Sequence, residues 1–218
     1  MWSWPYTFEI LPVLARAALI TIEATLLGFF IAAILGLVLA VLRIAIPALA
    51  WPISAIVELI RSTPLLIQIF FLFFVFPSFG IVLDAFAAGV LALGLHYGAY
   101  CSEVYRAGLE GVHRGQWEAS AALNLSPWTT FKDIIIPQAI PPLVPALGNY
   151  LVALFKETPL LSAIAVLELM QTAKILGSET FRYTEPMTLV GLFFLVMSLA
   201  SSALIRTVER VLNRRFLR

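Results

Sequence analysis

The stretch ATLLGFFIAAILGLVLAVL (24–42) runs from Glu23 to Arg43 without one charged side chain. As an α-helix rising about 1.5 Å per residue it is roughly 28 Å long, enough to cross the ~30 Å hydrocarbon core of a bilayer. A charge in that core costs several kcal/mol, so long uncharged gaps mark candidate spans. Four further gaps reach the same scale: 62–83, 85–102, 134–155 and 186–205. Their ends are not sharp, since Glu23, Glu58 or Lys156 can lie inside a longer helix. The stretch 44–57 is short and interrupted by Pro47 and Pro52. The expectation is an all-α membrane protein with about five transmembrane helices, because backbone polar groups in lipid are satisfied only within helices or closed barrels.

The composition agrees. Of 218 residues, 61% are apolar and 12% charged, with a mean hydropathy of +0.96. Soluble chains carry about 25% charged residues, so a soluble enzyme is excluded. A net charge of +1 offers no basic stripe for nucleic acid. The single cysteine, Cys101, excludes an internal disulfide framework and a multi-cysteine zinc site.

An odd number of spans places the termini on opposite sides, and the Lys/Arg bias orients them. With the C-terminus inside, the inner segments hold Arg43, Arg106, Arg114, Lys132 and the five arginines from Arg206 to Arg218, against Arg16, Lys174 and Arg182 outside. Nine against three predicts N-terminus out and C-terminus in. Met1–Pro12 has no basic leading region and no small-residue cleavage site, so it does not read as a removable signal peptide. Its Trp2, Trp4, Tyr6 and Phe8 read as an interfacial aromatic anchor or, equally well, as a frayed end.

The segment of about 103–133 is too long for a connector and is expected in the cytoplasm. Within it, Trp117–Leu123 is alanine-rich and predicts a short helix. Asn124 suits a left-handed stop, and Ser126-Pro127 opens the next segment. Such a helix is either an interfacial anchor or a docking surface for another protein.

Glu118-Ala119-Ser120, Asn124, Ile134 and Ile136-Pro137 then carry a likeness. Their spacing resembles the EAA loop of ABC-importer permeases: Glu-Ala-Ala, three residues, Gly, nine residues, Ile, one residue, Leu-Pro. Ser120, Asn124 and Ile136 replace Ala, Gly and Leu, and Asn is the residue after Gly that best tolerates the left-handed conformation. RSTPLLIQ (61–68), AYCSEVYRAGLEGVHRGQWEA (99–119), PQAIPPLVPALGNY (137–150) and KETPL (156–160) extend the resemblance to the polar amino-acid uptake permeases. GLHYGAY (94–100), ALNLSP (122–127), FKETPLLSAI (155–164) and GSETFRYTEP (177–186) are most similar to the ectoine/hydroxyectoine branch.

The resemblance implies that 1–218 is one transmembrane permease domain of a type I ABC importer, multi-pass in a bacterial inner membrane. It implies a cytoplasmic ABC ATPase dimer, a second permease subunit (a heterodimer rather than a homodimer) and an extracytoplasmic substrate-binding protein. There is no G-x-x-x-x-G-K-[ST] phosphate loop, so ATP and magnesium are expected on the partner and no cofactor in this chain. Glu118 is the expected ATPase contact, with Ala119 and Ser120 allowing close approach, Asn124 closing the turn and Pro137 ending the motif. The alternative for Glu118 is a solvated helix charge.

Charges near the spans are the candidates for a substrate path. Lys156-Glu157 is followed by Thr158-Pro159, and Pro159 predicts a broken helix there, the kind of feature that holds solute groups in transporters. Glu58 and Arg61 share a face at i, i+3, before a second break at Thr63-Pro64. Either pair can be a self-neutralised packing element. A zwitterion needs a donor for its carboxylate, offered by Arg61 or Lys156, and an acceptor for its cation, offered by Glu157. Glu23 reads as a helix-end charge. His96 and His113 read as structural histidines, since no metal-ligand cluster surrounds them. Gly94 and Gly98 ease helix packing, within the chain or at a subunit interface. The C-terminal arginines suit an anionic inner leaflet. A self-sufficient secondary transporter would show repeated halves, and a membrane enzyme clustered His or carboxylates. Neither pattern is present in the sequence.

Overall fold

The computed structural model describes residues 2–216, with side-chain environments over residues 2–211. The side chains of Arg214 and Arg215, and all of Arg218, lie outside the described residues.

The first helix, α1 (Trp4–Ala45), is far longer than its uncharged gap and contains Glu9, Arg16 and Glu23. Ser3 caps it by accepting from the Tyr6 amide, and Pro5 sits in the first turn, where its missing N–H costs nothing. After one residue, Ile46, α2 (Pro47–Ser62) begins. The chain then bends by 103° at Thr63-Pro64 and continues as α3 (Leu65–Phe70), a π turn (Phe71–Val75) and a 3-10 turn (Phe76–Phe79). Gly80, at φ 79°, ends this run in a conformation that favours glycine.

Asp84 caps α4 (Ala85–Glu110), accepting from the Ala87 amide at 3.0 Å. There follow α5 (Arg114–Ala122), the short α6 (Pro127–Thr129), a π turn (Thr130–Ile135) and α7 (Ile136–Glu157). A 3-10 segment (Thr158–Ile164), α8 (Leu169–Thr180) and α9 (Thr184–Phe216) complete the order.

Among the described residues four stretches are long and apolar enough to cross a membrane: Trp4–Ala45, Ala85–Glu110, Pro127–Ile164 and Thr184–Val211. The expected span 62–83 is not one rod. It is the far arm of the bent pair Pro47–Ser62 and Leu65–Phe79, and the count reaches five only with that pair taken as one span. The cause is Pro64. It has no N–H to donate and forces Thr63 into extended backbone (ψ 139°).

The most extensive helix pair is α1 with α4. A stripe of small buried residues on α1, among them Ala24, Gly28, Ala32, Gly36 and Ala40, lets the backbones approach closely. A Cβ on Gly36 would stand 2.6 Å from the Cys101 Cβ and 2.9 Å from the Gly98 carbonyl oxygen. Gly94 and Gly98 face Ile31 and Leu35 of α1, so this pair serves packing inside the chain. The opposite sides of α1 and α9 present Leu26, Phe30, Leu192 and Val196, all exposed and apolar, as a lipid-facing surface requires.

Two buried carboxylates fasten the connections. Glu168 caps α8 through the Met170 and Gln171 amides at 2.9 and 2.7 Å, and burial raises its pKa above the ordinary carboxylate value. Glu185 accepts from the Ser3 amide at 2.9 Å and pairs with Arg182. The Arg182 guanidinium lies over the Tyr6 ring, whose hydroxyl bonds Thr180. Of the N-terminal aromatics, Tyr6 is thus turned inward while Trp2, Trp4 and Phe8 stay at the surface.

Candidate functional site

Helix α5 starts three residues before the alanine-rich run, because His113 Nδ1 accepts from the Gly115 amide and caps it. It ends where expected. Asn124 adopts φ 54°, its amide donates to the Ala121 carbonyl and the Leu125 amide to that of Ser120. These two bonds are the Schellman stop, which satisfies carbonyls that the helix end leaves open.

The helical twist divides the motif. Glu118 projects outward, 67% exposed, with Arg114 Nε 3.1 Å from its carboxylate. Ala119 is also exposed, whereas Ser120 is 2% exposed and donates to the Gln116 carbonyl at 2.7 Å. Ser120 therefore gives close packing against its own chain rather than outward. Beneath it Trp117 stacks edge-on against Phe131 at 5.1 Å, over a core of Val112, Ile135 and Ala139. Pro137 lies in the first turn of α7, just after the π turn, in which the Ile136 amide reaches the Phe131 carbonyl. The widened turn fits the hydrogen bond that Pro137 cannot make. Leu123 and Trp128, 72% and 74% exposed, flank Asn124, so the elbow shows a carboxylate beside bare apolar surface.

The second cluster lies where α2, α4 and α7 meet. The Arg61 guanidinium sits 5.2 Å over the Tyr100 ring, and Tyr97, Tyr100 and Tyr150 stand with centroids 5.6–6.0 Å apart. Glu157 lies beside Tyr97 of the same cluster. Arg61 Nε and Glu157 Oε2 are both buried and have no hydrogen-bond partner in the described chain. A buried charged atom without a partner is costly, and at these two the unmet capacity is of opposite sign.

The remaining path candidates are placed elsewhere. Glu58, 71% exposed, touches Arg61 only at 3.5 Å. Thr158 is fully buried and its hydroxyl serves the Phe155 carbonyl at 2.8 Å. Lys156 and Glu157 are not an ion pair. Successive helical positions point apart, and Lys156 lines an open groove of about 420 Å³ between α7 and α9 with Ser198 and Ser202.

The tyrosines and Gln68 were not among the sequence candidates. Tyr97 and Tyr100 share a helix face at i, i+3, a signal present in the sequence, but their convergence with Tyr150 is tertiary. Buried His96 accompanies them, its Nδ1 3.2 Å from Gln68 Oε1. No group of His, Cys, Asp or Glu among the described residues is arranged to hold a metal ion.

Residues 32–216 match the family model described as "Binding-protein-dependent transport system inner membrane component". The chain is 46% identical over 211 residues to "Probable amino-acid ABC transporter permease protein y4tG" of Sinorhizobium fredii, covering 96% of this chain and 91% of that protein. It is 35% identical over 205 residues to "L-cystine transport system permease protein TcyB" of Bacillus subtilis, covering 91% and 88%. A solved structure titled "Crystal structure of an amino acid ABC transporter with histidines" superposes with a TM-score of 0.91 at 33% identity, covering 96% of this chain and 99% of that one.

Proposed function

This chain belongs to the family of binding-protein-dependent transport system inner membrane components, as the permease subunit of an amino-acid ABC importer, and from that premise we propose that its cargo is ectoine or hydroxyectoine. Such importers work with an ATPase and a substrate-binding protein. The observation that carries the cargo reading is the placement of Arg61 against Tyr100 and of Glu157 against Tyr97 in one tyrosine cluster, each with an unpaired polar atom. A compact zwitterion sets its carboxylate against Arg61 and its delocalised cation against Glu157 and the ring faces, where cation–π attraction adds to the charge contact. The motifs at 94–100, 122–127, 155–164 and 177–186 favour the ectoine branch over other polar amino acids.

In this reading the chain is one permease domain with its N-terminus outside, and it pairs with a related permease. Helix α5 docks the ATPase through Glu118 and Ala119, ATP and magnesium stay on that partner, and closure of the ATPase pair rocks the spans between inward- and outward-open states.

The test is reconstitution of this chain with its partner permease, ATPase and binding protein in vesicles, followed by labelled ectoine uptake. Uptake that needs ATP, competes with hydroxyectoine and resists excess glutamine supports the cargo. Uptake of glutamine or cystine in preference to ectoine overturns it. Glu118→Arg places a cation beside Arg114 and is expected to lose the ATPase on co-purification. Retained ATPase and normal uptake would sink the docking role.

A further inference from the structure

A chain of four alternating charges joins the C-terminal end of α1 to the elbow before α5. Arg43 Nη1 lies 2.5 Å from Glu103 Oε1. Glu103 Oε2 accepts from Arg106 at 2.7 Å through Nη2 and 3.2 Å through Nε, and Arg106 Nη1 reaches Glu110 Oε2 at 2.5 Å. Glu103 is the pivot, since its two oxygens bind different helices. Its side chain and that of Arg43 are 23% and 21% exposed, so solvent screens this contact less than it does most surface pairs. Arg43 also lies in the last turn of α1, where a cation meets the negative end of the helix dipole.

The two ends of the chain make it more than a staple. Glu110 is the last residue of α4, and Gly111, Val112 and His113 alone separate it from α5. Arg43 lies at the corner where α1 passes to α2, and α2 is a single rod ending at Ser62 beside Arg61 of the tyrosine cluster. Leu39 and Leu42 pack against Ile53 and Val57 across that corner, so the two helices are in apolar contact there.

We infer that Arg43, Glu103, Arg106 and Glu110 form a brace that carries displacement of α5 to α2, with Glu103 a positioning residue that couples ATP hydrolysis to movement of Arg61. The inference rests on the reading of α5 as the ATPase-docking helix. The brace is charged rather than apolar, so it favours one register: a slide of one turn sets Arg43 against Arg106 in one direction and against the uncharged Ala99 and Tyr100 in the other.

The experiment compares Glu103→Gln, Arg43→Gln, their double variant and Arg43→Lys in the reconstituted importer, measuring ATPase co-purification, hydrolysis rate and substrate moved per ATP. Glu103→Gln is expected to keep the ATPase and its hydrolysis while substrate moved per ATP falls roughly twofold to thirtyfold, the range seen along coupling networks. The double variant is expected to fall no further than Glu103→Gln alone, and Arg43→Lys to stay near wild type. An unchanged ratio in Glu103→Gln, additive losses in the double variant, or loss of the ATPase from Glu103→Gln each overturn the brace. Glu118→Arg, run in parallel, reports on docking alone. If it keeps the ATPase, the docking reading fails whatever Glu103→Gln does.

Discussion

Gln68 Nε2 donates to the Ile60 carbonyl at 2.8 Å, across the break that turns the chain by 103°. The same amide reaches the Thr63 hydroxyl at 2.7 Å and the Thr63 carbonyl at 3.2 Å. Pro64 has no donor for the Ile60 carbonyl, which Gln68 serves from the next helix together with the Thr63 hydroxyl, and the turn leaves the Thr63 carbonyl to Gln68, while His96 holds the Gln68 oxygen. Gln68→Leu keeps the bulk and strips the donor. The Ile60 carbonyl still accepts from the Thr63 hydroxyl at 3.1 Å, so the Thr63 carbonyl is the acceptor left open, at a cost of about 1–3 kcal/mol, and the melting point of the purified subunit is expected to drop by a few degrees. An unchanged melting curve would show that the break is satisfied without Gln68.

The α1–α4 contact yields a pair of opposite outcomes from one kind of change. On Gly36 a Cβ meets the Gly98 carbonyl oxygen and the Ser102 nitrogen, both at 2.9 Å, and these are backbone atoms that cannot rotate away. On Gly191 a Cβ meets nothing within 4 Å. Gly36→Ala is therefore expected to destabilise by about 1–3 kcal/mol through overpacking, and Gly191→Ala to be neutral or slightly stabilising within its helix. Thermal melts of the two variants side by side check this, and equal melting points would contradict the close approach.

How much of this was legible beforehand depends on the range of the cause. The stop at Asn124 and the breaks at Thr63-Pro64 and Thr158-Pro159 are local chemistry, and each stands where the residue types place it. The charge gaps located the apolar segments but not their number as rods. A gap reports only the absence of charge, whereas the 103° bend at Pro64 and the extension of α1 back through Glu23, Arg16 and Glu9 depend on backbone bonding. Lys156 and Glu157 looked like one pair in sequence and meet different neighbours in space, because adjacent helical positions differ by about 100°. The tyrosine cluster was out of reach, since Tyr150 joins Tyr97 and Tyr100 only through the crossing of α7 and α4.

At Asn124 the left-handed backbone turns a conservative-looking position into a selective one. Asn124→Gly removes the Cβ penalty and is expected to leave ATPase association intact or tighter. Asn124→Val forces a β-branched side chain into φ 54° at a cost of about 1–2 kcal/mol or more. The Schellman bonds to Ala121 and Ser120 then loosen, and α5 frays at the end next to Leu123. Co-purification of the ATPase is expected to fall about fivefold or more for Asn124→Val, the equivalent of 1 kcal/mol. Equal recovery with both variants would place the docking contact away from this end of α5.

Glu157 is the acid whose chemistry the cargo reading needs. Its Oε2 is buried without a hydrogen-bond partner while its neighbourhood holds Tyr97, so the side chain has one acceptor left for a cation. Glu157→Gln keeps the shape and removes the charge. The loss of a charge-assisted contact of about 1.5–3 kcal/mol implies at least a tenfold rise in the solute concentration for half-maximal uptake. Tyr97→Phe removes the hydroxyl beside Glu157 and leaves the ring, so a smaller rise is expected. Lys156→Gln changes a residue of the same sequence pair that faces the α7–α9 groove, and half-maximal uptake is expected to stay near wild type. Uptake kinetics of the three variants, each with its ATPase still bound, separate the two sides of α7. If Lys156→Gln weakens the solute and Glu157→Gln does not, the solute path runs along the α7–α9 groove and the tyrosine cluster is a packing feature.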